Sequence, residues 1–85
     1  MKVYVLSYLC DPTDEMSANY VLMVSKNKKD VQKAMKQELE NVVQSLEVTE
    51  EEKQNFNVKI SEGENDCSLY HYGSYYEWKI SEFEI

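Results

Sequence analysis

The feature that most constrains the fold of this 85-residue chain is an aromatic hairpin pattern in its last eighteen residues, 68–85. Two alternating aromatic runs flank the dipeptide Gly73-Ser74. A two-residue loop with glycine in first place suits a type II′ turn, because glycine accepts the positive φ that this position requires. The pattern therefore predicts two antiparallel strands in which Leu69 lies opposite Trp78.

The two faces of this hairpin differ in chemistry, because opposed residues share a face. The predicted core face consists of Cys67, Leu69, His71, Tyr76, Trp78 and Ile80. The predicted solvent face carries Tyr70, Tyr72, Tyr75 and Glu77. Near the chain end Phe83 and Ile85 resume the alternation in the opposite phase, which predicts a β-bulge at Ser81-Glu82.

The upstream sequence predicts three more strands and two helices. Apolar residues at three- and four-residue steps indicate a helix over residues 28–46, with Asn27 as N-cap and Asp30 in the capping-box position. A second capping box at Thr49 opens a short helix that ends near Asn55. The strands are predicted over residues 2–9, 19–24 and 56–60.

The expected fold is a single α+β domain spanning residues 1–85. It has a mostly antiparallel sheet of four or five strands, in the order ββα(α)βββ, with one long and one short helix on one face. The helix residues expected in the core are Val31, Met35, Leu39, Val42 and Leu46. They are expected to pack on Val3, Val5, Leu22, Val58 and Trp78, or on the opposite-face neighbours of those residues.

The charge of the chain argues against direct binding to DNA or RNA. The chain has sixteen acidic residues and nine lysines, for a net charge of −7, and it has no arginine. Residues 1–36 hold six lysines and four acids (+2), whereas residues 37–85 hold three lysines and twelve acids (−9). The locally basic stretch is expected to spread its lysines around the helix start without forming one stripe; these are Lys26, Lys28, Lys29, Lys33 and Lys36.

The acidity leaves two readings open. It is either a solvated surface or a face that imitates nucleic acid and blocks a host defence nuclease, as anti-CRISPR or anti-restriction proteins do. The residues of this candidate acidic face are Glu50, Glu51, Glu62, Glu64 and Asp66.

No combination of residues in the sequence predicts catalysis, a cofactor or a metal site. There is a single histidine, and Cys67 lies four residues before it on one predicted strand, about 13 Å away at strand rise. Cys10 and Cys67 match no metal-ligand spacing, so both are expected to be free thiols. No apolar run reaches the roughly 20 residues of a membrane helix, and no signal peptide is recognisable. We therefore expect a cytoplasmic protein that is not an enzyme and has no membrane contact.

The seven tyrosines of the chain are the remaining feature that indicates a function. Tyrosine offers a large contact area with a polar tip, which favours a protein-binding surface. The alternative is that amphipathic tyrosines simply cover an open sheet face. The candidate interaction residues are Tyr4, Tyr8, Tyr70, Tyr72 and Tyr75. The sequence thus favours a protein-binding module with a protein partner or a second copy of itself.

The two ends and the middle of the chain also resemble a known group of proteins. The segments are Met1–Tyr8, Val24–Val31 and Tyr76–Ile85. They are similar to small uncharacterised proteins encoded by phages, prophages and other mobile elements of bacteria. The resemblance implies a noncatalytic accessory role and assigns no functional residue. The acidic stretch between Leu46 and Phe56 is longer than in the shortest of those proteins.

Overall fold

The α+β architecture predicted from the sequence is confirmed in the computed structural model, which describes residues 1–12 and 16–85. One antiparallel sheet has the strand order β2-β1-β5-β4-β3. The strands are β1 (Lys2–Asp11), β2 (Ala18–Ser25), β3 (Val58–Glu62), β4 (Asp66–His71) and β5 (Ser74–Glu84). The helix α1 (Lys28–Ser45) lies on one face, and a 3-10 turn (Glu52–Gln54) precedes β3. Pro12 breaks the ladder of a strand and predicts a loop over residues 11–15, of which residues 13–15 lie outside the described residues.

Helix α1 begins after the predicted N-cap, Asn27. The Asn27 side chain accepts a hydrogen bond of 3.0 Å from the Lys29 amide, which satisfies one of the free donors of the first turn. The predicted capping box is wrong, however, because the Asn27 amide donates to the Ser25 hydroxyl at 3.1 Å and not to Asp30. Of the second predicted capping box only one half forms: Thr49 Oγ1 accepts from the Glu52 amide at 3.1 Å, and the short helix is a 3-10 turn whose N-cap, Glu51, makes no side-chain hydrogen bond.

The core lies between α1 and one face of the sheet. Its helix side is buried at Val31, Met35 and Leu39, while Val42 and Leu46 are half-buried against it. Its sheet side has Val58 and Trp78 as predicted. From β1 and β2 it takes the opposite-face set, namely Tyr4, Leu6, Tyr8 and Met23, and not Val3, Val5 and Leu22. Tyr8 stacks on Trp78 with ring centroids 4.9 Å apart.

The C-terminal hairpin has a different turn from the predicted one. Its loop is Tyr72-Gly73, with φ of 46° and 95°, and not Gly73-Ser74. Positive φ at both central residues defines a type I′ turn, whose twist matches that of the strands. Leu69 consequently pairs with Tyr76, and Cys67 pairs with Trp78. The two registers differ by two residues, so each ladder residue keeps its predicted face.

The predicted bulge at Ser81-Glu82 is wrong. Strand β5 pairs with β1 in unbroken register from Asp11–Tyr75 to Lys2–Glu84. Phe83 therefore points to the face opposite Trp78, and its side chain is 52% exposed. The register shift in this sheet lies instead between β1 and β2, where Leu6 pairs with Met23 but Ser7 pairs with Val21. Leu22 is the extra residue of that bulge.

Candidate protein-interaction surface

The face of the sheet opposite α1 carries two surfaces of different chemistry. Across β2, β1 and β5 the ladders align aliphatic and aromatic residues. We call this the apolar patch, and its members are Val3, Val5, Val21, Val24 and Phe83. Val21 and Val24 are 66% and 60% exposed. The patch arises because β1 and β2 are apolar on both sides while α1 covers only one.

The other end of this face is tyrosine-bearing and polar. Tyr70 and Tyr75 are neighbours across β4 and β5. The Tyr75 hydroxyl donates a hydrogen bond of 2.7 Å to Glu77, which raises the pKa of Tyr75 above its usual value. Both residues are thus candidates for contact with a partner, but the Tyr75 hydroxyl is already engaged within the chain.

The five candidate tyrosines do not form one patch. Tyr4 and Tyr8 lie on the α1 side and pack against the core. Burial, followed by a hydrogen bond with Cys10, raises the pKa of Tyr8 strongly. Tyr72 lies in the hairpin turn, where its hydroxyl accepts from Asn55 Nδ2 at 3.4 Å. Tyr70 and Tyr75 remain as the pair on the helix-free face.

Sequence reasoning missed the apolar patch, although two signals for it were present. The apolar residues of β5 change face at Phe83. This change marks a side chain that points away from the core, and not the predicted bulge. The uninterrupted apolar run of residues 20–24 likewise places aliphatic side chains on both faces of β2.

The candidate acidic residues fall into two groups at opposite ends of β3. Glu62, Glu64 and Asp66 surround the β3–β4 turn, where Gly63 and Asp66 are joined by a backbone hydrogen bond of 2.8 Å. Glu50 and Glu51 precede the 3-10 turn at the other end, and Glu50 is paired with Lys53 at 3.1 Å. Four residue steps of β3 separate these ends by about 13 Å.

The two cysteines are unsuited to joint chemistry. Two strand spacings and two residue steps separate Cys10 from Cys67, about 12 Å between Cα atoms, whereas a disulfide needs at most about 7 Å. Both are free thiols, as expected. Burial, reinforced by the carboxylates of Glu62 and Asp66, raises the pKa of Cys67 to about 11, which makes this thiol a poor nucleophile.

The histidine lies at the corner where the 3-10 turn meets β4. His71 Nε2 is 3.8 Å from Glu52 Oε2, and its ring meets Tyr72 edge-on. Glu52 Oε2 is buried and has no hydrogen-bond partner among the described residues. The contact joins the 3-10 turn to the end of β4 at this corner.

Three lysines share one face of α1. Lys29, Lys33 and Lys36 line one shallow groove along the helix, whereas Lys26 and Lys28 do not line it. Glu40 belongs to the same groove and reduces its positive charge.

Residues 1–12 and 16–85 contain no cluster of three or more histidine, cysteine or acidic side chains that could hold a metal ion. Within the same residues, no helix is long and apolar enough to cross a membrane. No protein-family model, curated protein or solved structure matches the chain.

Proposed function

We propose that this protein is a non-enzymatic protein-binding module, and that it contacts its partner through the helix-free face of the sheet. The observation that carries the proposal is the apolar patch, in which exposed valines of β2 continue into Val3, Val5 and Phe83. A contiguous apolar surface on a small domain is typical of an interaction site. The partner chemistry that fits it is an aliphatic or aromatic surface with few charges.

The absence of activity is part of the same proposal. The Cys67 thiol is buried and lies four residues from His71 along β4, so these two side chains do not form a nucleophile–base pair. An accessory role in a phage or other mobile element is supported by the resemblance of residues 1–8, 24–31 and 76–85 to such proteins.

The second candidate is an acidic inhibitor that imitates nucleic acid. The observation that favours it is the group Glu62, Glu64 and Asp66, whose carboxylates form no ion pair with any described residue. Such a protein would act on a positively charged groove, and its binding would weaken steeply with salt.

Capture experiments with matched variants separate the two candidates. The immobilised protein, a Phe83→Ser variant and a variant with Glu62, Glu64 and Asp66 changed to Gln or Asn are exposed to a lysate of the source cells at about 0.1 and 0.5 M salt. The proposal predicts a captured protein that survives high salt and is lost with Phe83→Ser. Capture that disappears at high salt and with the acid-neutralised variant would replace it with the inhibitor.

A further inference from the structure

Strand β2 is a weakly protected edge of the sheet. It occupies one end of the strand order, so no described segment pairs with its outer backbone groups. Natural proteins blunt such edges with charged residues, proline, short strands or bulges. Residues 18–25 contain no charged residue and no proline, and eight residues extend over about 26 Å. Of these protective devices, β2 has only the bulge at Leu22.

The side chains that border this edge are apolar on both faces. Val21 and Val24 project on the helix-free face, while Tyr20 projects on the helix face and is 54% exposed. A strand added beside β2 would therefore bury apolar surface on both sides. It would also satisfy the free backbone donors and acceptors, as in β-strand addition.

The charges at the two ends of β2 are opposite in sign. At the Ala18 end stands Asp11, whose Oδ1 accepts a hydrogen bond of 2.9 Å from Ser17. The Ser25 end is followed by Lys26. An antiparallel copy of the same strand places the Asp11 end of one molecule beside the Lys26 end of the other. This arrangement is self-complementary, which a two-fold interface requires.

The acids beside β3 do not oppose such pairing. Twelve of the sixteen lie in residues 37–85, and several of these flank β3 at the far edge of the sheet. Four strand spacings separate β2 from β3 by about 19 Å. This exceeds the Debye length of about 8 Å at physiological ionic strength, so repulsion between the acidic β3 sides of two copies is largely screened.

We propose that β2 pairs antiparallel with β2 of a second copy, forming a two-fold homodimer with one continuous ten-stranded sheet. The dimer rests on the proposed function, in which this part of the sheet is a binding surface. It adds one partner, a second copy of the chain, at the edge of β2. In the dimer the two apolar patches adjoin across the new interface, and the two β3 strands lie at its outer ends.

Light scattering or sedimentation over a range of concentrations tests the dimer. The expected result is a mass approaching twice the 10.0 kDa of the chain. Val21→Lys adds a charge at the new interface and is expected to raise the dimer dissociation constant at least about tenfold. Ser61→Lys, an exposed position on the β3 edge, is the matched control and should leave it unchanged.

Charge exchange tests the orientation. Asp11→Lys and Lys26→Glu are each expected to weaken the dimer, and the double variant is expected to restore it, because the two ends then attract again. Circular dichroism verifies that each variant folds. Should Val21→Lys fail to fold, hydrogen exchange of the unaltered protein replaces it, with β2 amides expected to exchange faster on dilution.

Three outcomes would overturn the inference. They are a monomer up to about 1 mM, a dimer insensitive to Val21→Lys, and a dimer lost with Phe83→Ser alone, which would indicate face-to-face packing. If the protein is a monomer that captures a partner, and Phe83→Ser abolishes this capture, only the dimer is refuted. A dimer that captures nothing would refute only the proposed function.

Discussion

The two edge strands of this sheet are built in opposite ways. Strand β2 has eight residues and no charge, and its valines are exposed. Strand β3 has five residues, bears Lys59 and Glu62, and buries Val58 in the core. Short length and charge are two of the devices that prevent strand addition, and β3 has both, whereas β2 has only the bulge at Leu22. Of the two edges, β2 is therefore the one open to strand addition, and it is the edge at which the proposed dimer forms.

The β3 edge is also secured by the segments around it. The 3-10 turn packs beside it, and the Tyr72 amide of the neighbouring hairpin turn donates to the Asn57 carbonyl at 2.9 Å. These contacts tie the chain to the hairpin just before the first residue of β3. Strand β2, by contrast, is held by β1 on one side and by α1 on one face.

The largest expected effect is a loss of stability when the packing of α1 on the sheet is weakened. Leu39→Ala removes a side chain that is 2% exposed at the centre of α1. The lost burial and the resulting cavity should lower the free energy of unfolding by about 2–5 kcal/mol, enough to unfold a domain of this size. Thermal or urea denaturation measures it. An unchanged midpoint would show that α1 does not hold the sheet.

A valine on each edge sharpens the comparison. Val58→Ala deletes two buried methyl groups of β3, at about 0.8 kcal/mol each plus a cavity contribution, so a loss of about 1.5–3 kcal/mol is expected. Val24→Ala on β2 should change the stability of the monomer by no more than about 0.5 kcal/mol, because that side chain is largely exposed. Denaturation at low protein concentration compares them, and equal losses would contradict the asymmetry.

The hairpin turn that anchors β3 gives a smaller effect. Gly73 has a φ of 95°, a conformation that costs other residues about 1–2 kcal/mol. Gly73→Ala is therefore expected to lower the free energy of unfolding by about that amount. Tyr72→Asn is the matched change, since asparagine tolerates the φ of 46° better than tyrosine and should cost less. The reverse ranking in denaturation would refute the type I′ turn.

The smallest expected effect on stability comes from the thiols. The two cysteines lie toward opposite edges of the sheet, so they can be used to compare these edges. Cys10 lies opposite Ala18 of β2, and buried Cys67 lies opposite Glu62 of β3. The pKa of Cys67 rises from 9.0 to about 11, so its neutral form is favoured by folding. Its contribution to stability is fully present below pH 9 and is lost as the pH rises through 9 to about 11.

Alkylation followed by mass spectrometry measures this difference. At pH 8 we expect Cys10 to react before Cys67, and we expect Cys67 to react rapidly only after unfolding. A Cys10→Ser variant isolates the slower thiol. Equal rates in the folded protein would mean that the β3 side is as open as the β2 side.

Much of the fold could be predicted because its signals are local. The repeat of apolar residues from Val31 to Leu46 and the Asn27 cap predict α1 to within one residue of its observed end, since helix hydrogen bonds join near neighbours. The faces of the hairpin could also be predicted, although its turn could not. Side chains alternate with a period of two, so a register error of two residues leaves Leu69 and Trp78 in the core.

The candidate site depends on long-range contacts, and only the tertiary structure decided it. Strand β1 is apolar on both sides, so its sequence does not indicate whether Leu6 or Val5 lies beneath α1. The packing of Tyr8 on Trp78 and the pairing of β1 with β5 place Leu6 inward. That choice separates Tyr4 and Tyr8 from Tyr70 and Tyr75, and brings Val5 and Phe83 to the open face. The sequence by itself determined the elements and their polarity, whereas the strand order and the helix position determined which apolar surface remains uncovered.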